Sequence, residues 1–350
     1  MSNMKDLAIN NRITLQSHSI NALKVLMILF VIYIHMNPTS ERCGEVAMWW
    51  HSVNIVAVPV FFIISGYFFF YQVSEFTCDS YRKKLKKRMR SLLLPYFLWN
   101  LLPVLLITGG NLYSILLRGK SLEALDDFYR GLWSEGLYHI WWDKTSGTMP
   151  FDSPLWYIRD LMMVCVFSPL FYQAIKRVGW VFPGILVLLY IMGLWPNING
   201  FSSTAFCFFS IGATYALKGK LLIDGTKKQI IGLMVIVAAS FIGTNLAYME
   251  IVMRTFIFTS ALLWLILSGK VPEFILKKVN ILIPVSSIFF IYAIHNTFVL
   301  ANVSKLLLKV VDEPICFYLS PIITMGVCLT LYFVVKTVFP KMTLLLCGGR

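Results

Sequence analysis

Two histidines in long apolar segments are the residues of this sequence best suited to chemistry. His35 closes the run from Ile20 to Met36 (INALKVLMILFVIYIHM), which is about as long as a bilayer is thick. His295 lies in a second apolar segment, SSIFFIYAIHNTFV. A titratable imidazole is costly to bury in a membrane, so its presence there indicates function by default. We predict that both are catalytic, as base and acid or as base and orienting group, and packing of His295 against a carbonyl is the alternative.

Lys24 and the basic segment YRKKLKKRMRSLLLPYF (81 to 97) are candidates for holding an anionic ligand. Lys24 precedes His35 by almost three helical turns, which places both on one face roughly 16 Å apart. Such a face suits a long phosphorylated donor, and an ordinary snorkelling lysine is the other interpretation. Arg88 and Arg90 lie nearest the following apolar helix and are the predicted phosphate contacts. The same charges could instead hold anionic lipids or fix the topology.

The segment PLWYIRDL (154 to 161) supplies the predicted substrate-binding residues. Arg159 and Asp160 are adjacent, so a helix points them about 100 degrees apart. We therefore expect that they do not simply pair with each other and that each has a partner on another helix or in a ligand. Trp156 in the same segment, and Tyr292 one turn before the second histidine, are assigned to the same role. No Cys or His spacing indicates a metal site.

The composition shows what kind of protein must position these side chains. Hydrophobic residues make up 58% of the 350 residues and charged residues only 14%. The chain is therefore too apolar for a water-soluble globule, and we predict an all-α integral membrane protein. The net charge of +14 then reports topology, and nucleic acid is not an expected partner. No signal peptide of the usual form precedes the first apolar run, so the first helix should be retained.

Apolar windows predict about ten transmembrane helices in one bundle. With the N-terminus inside, every second connection is rich in Lys and Arg, which places both termini in the cytoplasm. The whole chain, 1–350, reads as a single membrane domain with about 20–338 embedded and no appended soluble domain. The longest outer connection, near 110–154, is predicted to be amphipathic or re-entrant, with aromatic residues that either stack on a sugar or form an interfacial belt. The predicted spans are 20–37, 53–72, 91–109, 155–175, 180–196, 201–217, 229–248, 251–268, 281–303 and 317–338.

Six sequence pieces in order resemble the membrane acyltransferase family called acyltransferase 3, which includes many bacterial surface-glycan O-acetyltransferases. The pieces are LKVLMILFVIYIH, VPVFFIISGYFF (58 to 69), KKRMRSLLLPYF, PLWYIRDL, FFSIG (208 to 212) and IFFIYAIH. They cover nearly the whole chain, and the most specific part is FFIISGYFF followed by the basic stretch and LLLPYF. The family often has two arginines three apart in the basic stretch. With the first aligned on Arg88, Ser91 stands at the second position and Arg90 is the substitute.

The resemblance implies transfer of an acyl group, usually acetyl, from cytoplasmic acetyl-CoA to a hydroxyl of a glycan or lipid-linked sugar. It carries the family's first-helix histidine over to His35, which either takes the acceptor proton or is itself acylated. The expected partners are membrane lipids, acyl-CoA as a donor substrate and the sugar acceptor, in a bacterial cytoplasmic (inner) membrane. No permanently bound cofactor is expected, and a homo-oligomer is compatible with the sequence. The competing interpretation, a transporter or flippase of glycan-related substrates, is disfavoured because no internal repeat is seen.

Overall fold

The computed structural model describes residues 2–36, 41–119, 121–247 and 249–349. These residues form helices and no β-strand. Two π-helical segments, Met89–Leu93 and His295–Leu300, and a short 3-10 turn, Ser153–Leu155, interrupt the α-helices. The α-helices are α1 (Ser2–Ile34), α2 (Glu41–Asn54), α3 (Ala57–Phe70), α4 (Cys78–Arg88), α5 (Leu94–Arg118), α6 (Glu123–Glu135), α7 (His139–Trp142), α8 (Trp156–Val166), α9 (Ser168–Val178), α10 (Val181–Met192), α11 (Ser203–Leu217), α12 (Lys227–Ala247), α13 (Glu250–Ser268), α14 (Glu273–Leu282), α15 (Val285–Ile294), α16 (Ala301–Leu307), α17 (Glu313–Val338) and α18 (Pro340–Leu346).

The predicted class, an all-α membrane protein, is confirmed. In the described ranges, seven helices are long and apolar enough to cross a bilayer. An eighth crossing results if α8 and α9, which meet at a 60° bend, form one broken span. The apolar helices α10 and α11 are shorter and occupy the positions of the two remaining predicted spans. The number ten and the cytoplasmic placement of both termini stay predictions.

Helix α1 is the central element of the bundle. It packs against α2, α3, α13, α14, α15 and α17, and its Ile28 and Ile32 are fully buried. No glycine or proline occurs between Ser2 and Ile34, so nothing in the sequence bends or breaks it, and Pro38 follows shortly after its end. Residues along α1 are therefore held at fixed separations by one continuous helix.

Helices α3 and α11 approach each other closely because each has a glycine at the crossing. A Cβ added to Gly66 would lie 2.1 Å from the carbonyl oxygen of Phe209, and one added to Gly212 would lie 1.9 Å from that of Ile63. Small residues of this kind let helix backbones meet in a membrane, where packing drives association. The motifs FFIISGYFF and FFSIG thus form one interface that supports α1.

The middle of α1 and the C-terminal helix both contact the end of the bundle that carries α4. In the middle of α1, the Gln16 side-chain amide donates to the Tyr67 hydroxyl at 2.9 Å, close to the end of α3 and the start of α4. Helix α18 docks on the junction between α4 and α5, where the Trp99 indole N–H donates to the Leu346 carbonyl at 3.0 Å. We call this the inner end, because the charge pattern assigns it to the cytoplasm.

Candidate active site

The fold brings the two intramembrane histidines together. His35 follows the last residue of α1, and His295 is the first residue of the second π-helical segment. Their ring centroids are 5.2 Å apart and the ring planes are inclined by 50°. Single-turn π segments within α-helices occur frequently at functional sites. Two histidines separated by most of the sequence therefore form one pair, which the predicted joint role of base and acid or base and orienting group requires.

The hydrogen bonds of His295 fix its tautomer. Its Nδ1 lies 2.7 Å from the Tyr292 carbonyl oxygen and 3.2 Å from that of Ile291. Carbonyl oxygens only accept, so Nδ1 carries the proton and Nε2 presents a lone pair. The side chain is fully buried, and Nε2 has no hydrogen-bond partner among the described residues. His295 is thus held rigidly with an unused acceptor.

His35, unlike His295, reaches open space on two sides. A central cavity of ≈ 310 Å³ is lined by His35 together with Trp156 and Tyr292. A side cavity of ≈ 320 Å³ is lined by His35 and by Ser304 and Glu313. His295 lines neither cavity. Of the two histidines, His35 is therefore the one that can touch a ligand.

An inner cavity of ≈ 260 Å³ leads from the basic end of the bundle toward the central cavity. Lys24 and Arg88 line it, and the Lys24 ammonium lies 5.3 Å from the centroid of the Phe68 ring. Tyr292 lines both the inner and the central cavity. Its ring lies 5.9 Å from that of Tyr157, and these two tyrosines line the inner cavity's wall. Lys24, on α1, and His35, directly after α1, thus line successive cavities that meet at Tyr292.

A hydroxyl network holds this tyrosine wall in place. The Tyr292 hydroxyl donates to the carbonyl oxygen of Pro154, just before α8. The hydroxyl of Tyr157 lies 2.9 Å from the Ser65 Oγ on α3. The wall therefore joins three helices through polar contacts that cost about 1 kcal/mol each to break.

An outer cavity of ≈ 470 Å³ adjoins the central cavity through residues that do not line the inner one. Trp156 and Met149 line both of them. Indole, amide, hydroxyl and guanidinium groups together offer an apolar face and many hydrogen bonds, a combination that suits a sugar. The outer cavity is also lined by Arg159, Asp160, Trp195, Asn197, Asn199 and Arg254.

The expectation that Arg159 and Asp160 do not pair is wrong. The Arg159 Nε donates to the Asp160 Oδ1 at 3.0 Å. The backbone directs the two Cβ atoms apart, but the long arginine side chain turns sideways and brings its guanidinium back to the neighbour. Both groups also have partners elsewhere: the guanidinium donates to the Thr148 carbonyl at 2.9 Å and to that of Trp142, and Asp160 accepts from Ser202. The pair is nearly fully buried and shapes the floor of the outer cavity.

The structure separates the two arginines predicted to bind the donor. Arg88 lines the inner cavity, whereas Arg90 and Ser91 line a different, basic cavity against the C-terminal helix. Two residues correspond to about 200 degrees of helical rotation, so Arg88 and Arg90 point to opposite sides. Only Arg88 shares a cavity with Lys24.

Sequence reasoning missed several lining residues. His51 lines the central cavity with His35, and its signal was a histidine shortly before the predicted second span. Trp195 lies directly before the stretch PNING (196 to 200) and Asn199 lies within it, between two of the predicted spans. Arg254, on α13, donates to the Tyr190 carbonyl at 3.2 Å at the rim of the outer cavity.

Asp152 is a buried carboxyl that ties the outer connection to the histidine segment. Its Oδ1 accepts from the Thr297 hydroxyl, two residues after His295, and its backbone N–H donates to the Asn100 Oδ1 at 2.9 Å. Burial raises the pKa of Asp152 to about 7, and the hydrogen bond from Thr297 partly opposes that rise. No three His, Cys, Asp or Glu side chains of the described residues are grouped so that they could hold a metal ion.

Comparison with known proteins gives two matches. Residues 17–335 match a family model described as an acyltransferase domain, acyltransferase 3. The chain is also 28% identical over 217 residues to the succinoglycan biosynthesis protein ExoH of Rhizobium meliloti (strain 1021), a match that covers 58% of this chain and 55% of that relative. The chain thus aligns with a little over half of the relative's length. No solved structure matches the chain.

Proposed function

The chain belongs to the acyltransferase 3 family, and from that premise we propose that it is a membrane-bound acyltransferase that uses acyl-CoA. It moves an acyl group, above all acetyl from acetyl-CoA, to a hydroxyl of a cell-surface polysaccharide or lipid-linked sugar. The observation that carries the proposal is the succession of cavities along α1. Lys24 lines the first, His35 the second, and Tyr292 stands between them.

The inner cavity is the donor site. Lys24 and Arg88 supply the positive charge that attracts the phosphates of coenzyme A. The phosphopantetheine arm is comparable in length to the roughly 16 Å that separate Lys24 and His35 along the helix. A donor whose nucleotide stays at the inner end can therefore present its thioester near His35 once the tyrosine wall gives way.

His35 is the base in this mechanism. Its imidazole takes the proton from the acceptor hydroxyl as that oxygen attacks the thioester carbonyl carbon. A carbon–oxygen bond forms, the carbon–sulfur bond breaks, and the proton passes from His35 to the departing thiolate of coenzyme A. Direct transfer of this kind and transient acylation of His35 both satisfy the geometry, and both require a neutral imidazole facing the central cavity.

His295 is a positioning residue. It lines neither cavity at His35, so it does not meet the substrate, but its ring centroid lies 5.2 Å from that of His35 and its Nε2 has no partner among the described residues. A bond from the His35 N–H to that nitrogen, direct or through water, would orient the base and leave its other nitrogen free for the acceptor. It would also provide the partner that the buried Nε2 lacks.

The acceptor enters through the outer cavity. Trp195 offers a ring on which a pyranose can lie, with Asn199 and Asp160 nearby to bond its hydroxyls. The relative is a succinoglycan biosynthesis protein, and its name supports a polysaccharide as acceptor. We place the protein in the bacterial cytoplasmic membrane, with this cavity facing away from the cytoplasm.

Membranes carrying the protein test the proposal directly. They are incubated with radiolabelled acetyl-CoA, and the glycan and lipid fractions are counted. Label should reach one of these fractions with the wild type and fall by about 10²- to 10⁴-fold in His35→Ala, the usual loss for a general base. The variant His139→Ala, at a histidine that lines none of the three cavities along the path, serves as the control. Undiminished transfer by His35→Ala at equal expression would refute the mechanism, and a transporter would show no transfer with any variant.

A further inference from the structure

The basic segment, which consists of α4 and the start of the π-helical segment after it, presents its cations on two different faces. One face turns into the bundle: the Lys84 ammonium donates to the Phe69 carbonyl at 2.9 Å, and Arg88 lines the inner cavity. The other face carries cations spaced as i, i+3, i+4 and i+7, which fall on one side of a helix. These are Lys83, Lys86, Lys87 and Arg90.

The second face lines a cavity of its own, the basic cavity, of ≈ 580 Å³. It shares no lining residue with the inner cavity. In the part of the chain that the structure describes, none of its four cations takes part in an ion pair. A concave group of four cations without carboxylates is complementary to an anion.

The rest of the basic cavity is apolar. Leu94, Leu344 and Leu345 line it, and they are 46%, 52% and 44% exposed on the protein surface. The cations stand where charged α4 gives way to apolar α5, which is the level of lipid headgroups at the inner membrane surface. A ligand of this cavity therefore meets positive charge at one end and exposed leucines at the other.

The C-terminal segment packs closely against the start of the third predicted span, near Ser91 and Trp99. A Cβ on Gly348 would be 2.0 Å from the Ser91 carbonyl oxygen, so only glycine allows this approach at φ +70°. Together with the Trp99 bond to Leu346, this contact holds α18 as the second wall of the basic cavity.

We infer that the basic cavity binds one anionic glycerophospholipid of the inner leaflet. Its phosphate lies among Lys83, Lys86, Lys87 and Arg90, and its acyl chains run along the leucines of α5 and α18. The lipid contacts the face of α4 that lines the basic cavity and holds the helix at the membrane surface. Arg88, on the face that lines the inner cavity, binds the donor. The basic segment thus divides into a lipid-binding face and a donor-binding face.

Native mass spectrometry of the purified protein in detergent tests this site. The probes are palmitoyl-oleoyl phosphatidylglycerol and, as the neutral comparison, palmitoyl-oleoyl phosphatidylcholine. The test variant carries Gln at the four cations (K83Q, K86Q, K87Q, R90Q). The control removes four other lysines of the predicted cytoplasmic side, K218Q, K227Q, K228Q and K270Q, which line neither the basic nor the inner cavity.

Wild type and control should retain one phosphatidylglycerol in preference to phosphatidylcholine, and the test variant should lose that preference by at least about tenfold. Retention by the test variant equal to that of the control, or equal retention of both lipids by the wild type, would overturn the inference. If the fourfold variant cannot be purified, the double variant K86Q/R90Q is compared with the double control K227Q/K228Q. The same outcomes support or overturn the inference, and the expected loss of preference for phosphatidylglycerol is smaller.

Coenzyme A serves as the last probe, because its phosphates could occupy the same cations. Its addition should leave phosphatidylglycerol bound, whereas displacement would assign the cavity to the donor and overturn the lipid site. The variant Arg88→Gln should retain the lipid normally. Since lipid retention needs no acyl transfer, this experiment stands even if the proposed enzymatic function fails.

Discussion

Substitution of His295 tests whether the histidine pair divides its work between a base and a positioning residue. Two variants are informative. In His295→Gln, an amide N–H can replace Nδ1–H as the donor to the Tyr292 carbonyl, which Nδ1 now meets at 2.7 Å, and the amide oxygen can replace Nε2 as an acceptor. His295→Leu keeps a side chain of similar bulk but removes both functions.

The expected losses follow from the contacts. One net hydrogen bond is worth about 0.5–1.5 kcal/mol, which corresponds to roughly 2- to 12-fold in rate if it only orients His35. His295→Gln should therefore retain at least about a tenth of wild-type transfer. His295→Leu loses both bonds and leaves the Tyr292 carbonyl without its ring donor, so it should fall by about 10- to 100-fold. His35→Ala should be lower than either, by about 10²- to 10⁴-fold.

The assay measures acetyl transfer by the purified protein at saturating acetyl-CoA. Variants are compared only if their melting temperatures equal that of the wild type, so that a folding defect is not mistaken for a change in chemistry. The order wild type, His295→Gln, His295→Leu, His35→Ala is the result expected of a positioning residue. Loss in His295→Gln as large as in His35→Ala would mean that His295 itself carries a proton in the reaction. Equal activity of the Gln and Leu variants would mean that its hydrogen bonds do not orient His35 at all.

Five further substitutions probe other parts of the structure. Gly212→Ala places a methyl group against backbone, 1.9 Å from the nearest oxygen, and should lower the free energy of unfolding by about 1–3 kcal/mol in a thermal or denaturant unfolding assay. Arg88→Ala should raise the KM for acetyl-CoA several-fold while Arg90→Ala leaves it unchanged, and equal effects would show that the two faces of α4 are not separate. Trp195→Ala should raise the KM for the acceptor and leave that for acetyl-CoA unaltered. Burial raises the pKa of Asp152 to about 7, so its stabilising contribution is present below the unfolded value of about 4 and is lost as the pH rises through 7; wild type should lose melting temperature from pH 5 to pH 8 more steeply than Asp152→Asn, and parallel curves would contradict the assignment.

The membrane class and the histidine pair could be predicted from sequence because each depends on local pattern. Apolar stretches of bilayer length can be recognised directly in the sequence, and a histidine within one is easily identified as unusual. Helical periodicity predicted that Lys24 and His35 share one face, and the structure places Lys24 in the inner cavity and His35 in the central cavity. What was predicted well is what one helix determines.

Features that depend on several helices could not be read from the sequence. Arg159 was not expected to pair simply with Asp160, because helical geometry predicts only the directions of the two Cβ atoms. In the structure, the Arg159 guanidinium donates to a carbonyl of the outer connection, and this orientation also brings its Nε to Asp160. The outer cavity was missed for a similar reason. Its residues come from α8, α13 and the connection before α11, and no local spacing records that these segments meet.

The basic segment shows most clearly how structure changes an interpretation. As a run of charge, 82 to 90 allows three functions, and composition cannot choose among them. Helical geometry turns Lys84 and Arg88 toward α3 and the inner cavity, and turns the other four lining cations toward the leucines of α18. The alternatives are then not exclusive, because the proposed lipid and the proposed donor would contact different faces of the segment. This division also bears on position 91, where the family often has a second arginine: Ser91 lines the basic cavity and not the inner one, so a side chain at this position lies away from the cavity that Lys24 and Arg88 share.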